Sequence, residues 1–216
     1  MRWTPVALGL MAVLVCSSGL EAQADDTAGS TKEPTIVGIV GGWNINDGIW
    51  KPGAESESVG GIILGAFVNA RTPAPWFAIR AELTWVQRGV DVTGSIGDDP
   101  ALGGVRSDYL TVAIHPRASM AVGPLRVHIA AGPTVDQLVR SRIDSSLAPI
   151  LFRDISTVFG VGLGAGVGGT VADRYRVEVE ARVFEGLGDA YSGDFVSVRN
   201  RSLEFVTRVG IPRPER

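Results

Sequence analysis

The chain has 216 residues, with 20 Lys and Arg against 23 Asp and Glu and a formal net charge of −3. Its length fits one domain or one closed barrel, and the mildly acidic balance supplies no basic footprint for nucleic acid. The single cysteine, Cys16, lies in a segment expected to be removed. The mature chain is then expected to carry no disulfide, no thiolate nucleophile and no cysteine-based metal site.

Residues 1–24 read as an export signal. Arg2 lies in a short charged start, an apolar run extends from Val6 to Val15, and Ala22-Gln23-Ala24 fits a small-residue cleavage site. The run is too short for a spanning helix, which needs about 20 residues. Lipidation at Cys16 would want a small residue before it, where Val15 stands, so cleavage is expected after Ala24. Residues 25–34 form a polar leader expected to be flexible. No later stretch approaches the 18 uninterrupted apolar residues of a helical span.

Beyond the leader the hydrophobic period is two. Phe77, Ile79, Ala81, Leu83 and Trp85 alternate with Ala78, Arg80, Glu82 and Thr84. Leu125, Val127 and Ile129 alternate with Arg126 and His128, and Tyr175, Val177, Val179, Ala181 and Val183 with Arg176, Glu178, Glu180 and Arg182. Phe159, Val161, Leu163, Ala165 and Val167 alternate with Gly160, Gly162, Gly164, Gly166 and Gly168. Eight strands are predicted, over 35–46, 59–70, 76–90, 107–121, 125–138, 157–169, 174–184 and 196–211. The connections fall into three short ones (Arg71–Pro75, Val122–Pro124, Thr170–Asp173) and four long ones (47–58, 91–106, 139–156, 185–195). Strict alternation of long and short predicts an all-β, eight-stranded, antiparallel up-and-down transmembrane barrel, with short periplasmic turns, longer outer loops and both termini in the periplasm. Residues 35–211 form the barrel and 212–216 a short polar tail.

The apolar runs have the length of a tilted spanning strand, about 9–11 residues. Phe77 and Trp85, eight residues apart on one face, would be separated by roughly 20 Å along the membrane normal. With Tyr175 they are the candidates for aromatic girdles flanking the lipid-facing band.

A soluble lipocalin-like binding barrel also alternates, with its apolar face inward. Five glycines on the polar parity of one strand oppose that reading, because a crowded interior has reason to lack side chains and a water-facing wall has none. The charges on that parity come in both signs: Arg80, Glu82, Arg117, Arg126, Arg176, Glu178, Glu180, Arg182, Glu204 and Arg208. In a narrow lumen they can pair across strands, where unpaired burial would cost several kcal/mol per charge. Eight strands leave a lumen that side chains fill, so these residues are expected to form a plug and the chain not to act as a general pore.

Several stretches resemble the small outer-membrane β-barrel family often labelled porin-family or outer membrane protein β-barrel domain. Gly41-Gly42-Trp43-Asn44-Ile45-Asn46 resembles its first-strand Gly-Gly-aliphatic-Asn signature, and Ala81 to Gly89 its Glu-Leu-x-aromatic strand ending in a basic residue and glycine. Tyr109-Leu110 through Pro116 is similar to its Tyr-Leu-x-x-Pro strand, with the proline later here, and Ala131-Gly132-Pro133 resembles its Gly-Pro strand. The resemblance spans 35–211 and implies an outer-membrane barrel, without implying porin activity. It also implies assembly by the outer-membrane machinery. Many such barrels end in an aromatic residue, whereas this chain ends Ile211-Pro212-Arg213-Pro214-Glu215-Arg216, with Phe205 the nearest aromatic.

Three constellations bear on chemistry. His128 is predicted to lie near Ser119, with Glu82 one strand further, the residue types of a serine nucleophile activated by a histidine and a carboxylate. Lumen positions beside a short turn are remote from lipid substrates, so His128 and His115 are expected to be hydrogen-bonded interior histidines, and an outer-membrane hydrolase stays a third alternative. Gly164 to Gly169 matches G-x-G-x-x-G by letter, but a turn and a strand come after it where a dinucleotide site needs a helix. Asp98-Asp99 with Asp91 lacks the defined spacing of a cation loop. The expectation is therefore a monomeric, non-enzymatic barrel without cofactor, metal or nucleic acid. Its partners are outer-membrane lipid, the assembly machinery and an unknown ligand met by the long loops.

Overall fold

The computed structural model describes residues 34–213 except 52–53, 97–98, 101–102, 149–150, 152, 173 and 194–195. The export signal with Cys16, the leader up to residue 33, Asp98 and residues 214–216 lie outside the described residues. Eight long strands form one antiparallel sheet: β1 Ile36–Lys51, β2 Ala54–Arg71, β3 Phe77–Ile96, β4 Gly103–Val122, β5 Leu125–Ile143, β6 Thr157–Val171, β7 Tyr175–Gly186 and β8 Ser197–Pro212. Each pairs with its sequence neighbour, and β1 pairs with β8 from Ile36↔Pro212 to Lys51↔Ser197, closing an up-and-down barrel. Closure removes every long free edge.

The strands run further than the period-two pattern alone indicates, and this alters the loops. β1 ends at Lys51 with β2 beginning at Ala54, and β3 ends at Ile96 with β4 beginning at Gly103. The connections expected at 47–58 and 91–106 are thus both shorter than expected, and strict alternation fails at the first. Polar, glycine-rich stretches still make ladder hydrogen bonds where a paired neighbour is present. Asp47–Lys51 pairs with β8 and Glu57–Ser58 with β3. The connections 144–156 and 187–196 remain long. Both described chain ends lie at the short-turn end, where Arg213 N donates to Thr35 O at 2.8 Å. There, Gly123 takes φ 60°, a left-handed conformation that glycine adopts freely, in the two-residue turn between β4 and β5.

Three register shifts interrupt the ladders among the described residues, one between Ala54↔Ile96 and Ser56↔Val92 and two bulges further along that bear on side-chain facing. Between Ser58↔Val90 and Ile63↔Val86, β2 carries one residue more than β3, within the stretch Val59–Ile62 that holds Gly60 and Gly61. Asn44 and Asn46 point inward beside it: Asn44 Nδ2 donates to Gln87 O at 3.0 Å and Asn46 Nδ2 to Val59 O at 3.1 Å. These side chains bond the carbonyls beside the bulge. The second bulge lies in β5, where Tyr109↔Leu138 is followed by Asp108↔Arg140 and Val139 is the extra residue.

Packing obeys the alternation. The outer wall at mid-height is apolar and open, with Ile39 69%, Ile129 57% and Leu163 53% exposed, and Leu64, Leu83, Val112, Val179 and Phe205 likewise exposed. The buried parity carries most of the charge. This is the inverse of a lipocalin-like barrel, and a continuous exposed apolar belt of this kind marks a lipid- or partner-covered surface.

Candidate functional site: the filled interior

The inward row of β3 sets out the interior level by level: Ala78, Arg80, Glu82, Thr84, Val86, Arg88, Val90 and Val92 are all buried. From Arg80 to Arg88 this row faces the charged rows of β4, β5, β7 and β8. Arg80 reaches Glu180 at 2.6 Å and Glu178 at 3.0 Å, and Arg117 meets Glu178 at 2.9 Å. Arg182 bridges Glu82 at 2.7 Å and Glu204 at 2.5 Å. Arg208 bridges Glu82 at 2.6 Å and Glu180 at 3.2 Å. Arg88 lies between Asp136 and Glu204, 3.0 Å from each, and donates to Ser202 Oγ at 2.6 Å. Its guanidinium also covers the Phe184 ring, 3.8 Å from the centroid.

Of the ten charges singled out in the sequence, eight come together here. Arg126 and Arg176 do not join the buried set. Each lies one residue inside a strand at the short-turn end, half-buried, with Arg126 donating to Ser119 Oγ at 3.3 Å and Arg176 lying 3.6 Å from Glu178. Arg88 and Asp136 take their places, although both carry the inward parity of strands already recognised. The buried set is thus Arg80, Arg88, Arg117, Arg182 and Arg208 against Glu82, Asp136, Glu178, Glu180 and Glu204. The two signs balance, as burial demands of charges removed from water.

The glycine row of β6 makes the room. A Cβ on Gly164 would lie 2.7 Å from Arg182 Cβ, one on Gly168 2.6 Å from Glu178 Cγ, and one on Gly166 2.7 Å from the His128 ring. The wall carries no side chains where the bridging arginines and glutamates cross the lumen. Opposite, Ile36, Val40, Ile63, Phe67, Val86 and Val206 form a buried apolar pad against β1 and β2.

Above Arg88 the interior changes character. Trp50, Val90, Val92, Val105, Val158 and Val198 point inward from the extended strands, and Leu147, Leu151, Ala190, Tyr191 and Val196 pack onto them from the two long connections. Hydrogen bonds knit those connections together: Leu151 N to Leu147 O at 2.8 Å, Ile155 N to Ala190 O at 3.0 Å and Ala190 N to Val198 O at 2.7 Å. These segments thus contribute an apolar core over the ionic layer as well as outward-facing polar surface.

The Ser119, His128 and Glu82 constellation weighed as a hydrolytic alternative does not come together among the described residues. His128 Nε2 lies 2.8 Å from Glu180, its Nδ1 makes no hydrogen bond among the described residues, and Glu82 is held by three arginines. Although Ser119 and His128 are cross-strand partners, the expected carboxylate does not orient the imidazole. His115 is buried with Nε2 directed at Gly162. The Gly164–Gly169 stretch is strand, with a turn and β7 after it. Asp91 is engaged by Arg106 through two hydrogen bonds, at 2.7 and 2.9 Å.

The aromatics fall at two heights on the outer wall. Phe77 sits at the short-turn end beside the exposed Trp76, with ring centroids 5.6 Å apart, and Tyr175 lies at that end with the Arg174 guanidinium 5.5 Å from its ring. Trp85 and Trp43 flank the Ile62–Leu64 segment of β2 from either side. Trp43 stacks on Phe205 at 5.5 Å, which places Phe205 in the middle of its strand, away from the strand's end. Trp43 and Trp76 join the aromatics expected from the sequence, and Trp43 shares the outward parity of Ile39.

The fold is that of the small outer-membrane β-barrels. The chain is similar in structure to the outer membrane protein OprG from Pseudomonas aeruginosa at 13% identity, covering 83% of this chain and 94% of that one with a TM-score of 0.54. Neisserial surface protein A gives 13% identity, 82% and 99% coverage and a TM-score of 0.48. Ail, the attachment invasion locus protein of Yersinia pestis, gives 11%, 81% and 99%, and 0.39. No family model matches the chain, and no curated protein sequence does.

Proposed function

We propose that this chain is an exported outer-membrane protein, delivered by residues 1–24 and embedded through its apolar belt. Its short turns and both termini face the periplasm and its long-loop end faces outward. It neither conducts solutes as a general pore nor catalyses a reaction, and any ligand or partner meets it at the long-loop end.

One observation carries the reading. The interior is filled twice in series, by the balanced ionic layer between Arg80 and Arg88 and by the apolar core around Leu147 and Leu151. A water-filled channel needs a polar, hydrated lining, whereas these charges are committed to one another. The outward apolar parity supports the membrane placement, since lipid is the solvent in which such a wall is stable. The fold shared with OprG supports it as well.

Two measurements test this. The protein should fractionate with outer membranes and need detergent to stay in solution with its β-structure. Reconstituted into a planar bilayer, it should give no large, steady single-channel currents, and a reproducible channel of porin size would overturn the sealed interior.

A further inference from the structure

The bulge at Val139 reverses the facing of β5. Up to Asp136 the even-numbered residues of this strand point inward, and Asp136 itself is buried against Arg88. One extra residue then sets Arg140 opposite Asp108 and Arg142 opposite Arg106, on the outer wall. Without Val139 the parity would send Arg140 and Arg142 into the apolar core at the long-loop end. Bulges of this kind re-aim side chains.

The re-aimed arginines sit at a defined height. The last belt residues on β3 and β4 are Trp85 and Leu110, which are cross-strand partners, and the next outward residues are Gln87 and Asp108. Arg140 is therefore about 7 Å along the strand beyond the belt, with Arg142 one further step out. That is headgroup level. A cleft of about 200 Å³ opens there across the outer wall, lined among others by Gly60, Gln87, Arg106, Asp108, Arg140 and Arg142. Side-chain-free Gly60, at the bulge of β2, helps to open it.

The charges in the cleft are unequally committed. Arg106 is held by Asp91 through two hydrogen bonds, and Gln87 donates to Asp108 Oδ1 at 3.2 Å. Asp144 caps Gly104 N at 2.7 Å. Arg140 and Arg142 are exposed and make no ion pair among the described residues. Two free guanidinium forks side by side suit a doubly charged phosphate, which they can grip in bidentate fashion.

We propose that Arg140 and Arg142, turned outward by the Val139 bulge, bind the phosphomonoester of a lipid headgroup at the rim of the apolar belt. This rests on the membrane placement proposed for the barrel. A phosphodiester lipid carries one charge where the pair supplies two, so the site favours the phosphomonoester. Lipid is the source because the cleft opens directly above Trp85 and Leu110, against the headgroup layer.

The test uses the whole barrel folded in a zwitterionic detergent and titrated with diphosphorylated lipid A or with phosphatidylglycerol. Wild type should bind the lipid A more tightly, and free inorganic phosphate at equal concentration should not displace it. Arg140→Ala/Arg142→Ala should weaken lipid A binding on the order of tenfold and erase the preference. The charge-matched Arg199→Ala/Arg201→Ala pair, on the far wall, should leave both intact. Unchanged binding by the first pair, equal loss from both pairs, or no preference for the phosphomonoester overturns the proposal. If the double variant does not fold, Arg140→Gln and Arg142→Gln separately should each show part of the loss, and wild-type affinity in both overturns it. A barrel that requires detergent yet ignores the lipid phosphate defeats this inference alone. A chain soluble without detergent defeats the membrane reading beneath it.

Discussion

On β3 two successive inward positions, Arg88 and Val90, divide the barrel into an ionic layer and an apolar one. The ionic layer is strand against strand. Each charge is fixed by a partner on another wall, and removing one leaves the rest buried without compensation. The apolar layer is strand against loop, and its contacts are non-directional. Loss of a side chain there creates a cavity into which the connecting segments can relax. The same barrel therefore contains one interior that fails all at once and one that fails locally.

Glu82→Ala strikes the ionic layer at its centre. Glu82 meets Arg182 at 2.7 Å, Arg208 at 2.6 Å and Arg80 at 3.9 Å, so three buried cations would lose a shared anion. A loss of about 3–5 kcal/mol is expected in denaturant titrations of the lipid-refolded protein. A change below about 1 kcal/mol would mean that water already reaches the layer.

Leu151→Ala probes the other interior. Leu151 is buried against the strand valines and Leu147. Truncation should cost about 2–3 kcal/mol, in the lower part of the range for buried leucines because loops collapse more readily than strands. Limited proteolysis should then cut within 144–156 or 187–196 while the eight strands stay protected. Cooperative loss of the whole barrel would show that the two layers unfold as one.

Arg106→Ala sets the floor. The Arg106–Asp91 pair is well formed, and its hydrogen bonds hold the Arg106 pKa above its ordinary value. Both side chains are nevertheless more than a third exposed. Exposed pairs contribute less than about 1 kcal/mol, so the denaturant midpoint should barely move. A shift as large as that of Glu82→Ala would erase the distinction between interior and outer-wall charges.

Much of this architecture is legible in the residues. Period-two alternation around Phe77–Trp85 and Tyr175–Val183 specifies the strands and their two faces, because successive side chains on a strand must point to opposite sides. The five glycines of β6 announce a crowded inner wall, and a Cβ there would collide with Arg182, Glu178 or His128. Arg88 and Asp136 stand outside the charge set expected from the sequence, although parity alone could have found them. Arg126 and Arg176 belong to that expected set but not to the buried one, because parity gives facing and not depth. Depth depends on where the strand ends.

Alternation by itself determined the strands and their two faces, since facing is a local property of the extended backbone. The glycine row of β6 and the two signs of charge on the polar parity, not the alternation, pointed the apolar face outward. Tertiary structure alone decided which charges meet, how the first connection shortened and how the long connections came to cover the ionic layer with apolar side chains. It also decided that one extra residue, Val139, turns two arginines from the interior to the outer wall beyond the apolar belt. Pairing partners, register shifts and bulges depend on the neighbouring strand, and the neighbour's offset appears nowhere in a single strand's pattern.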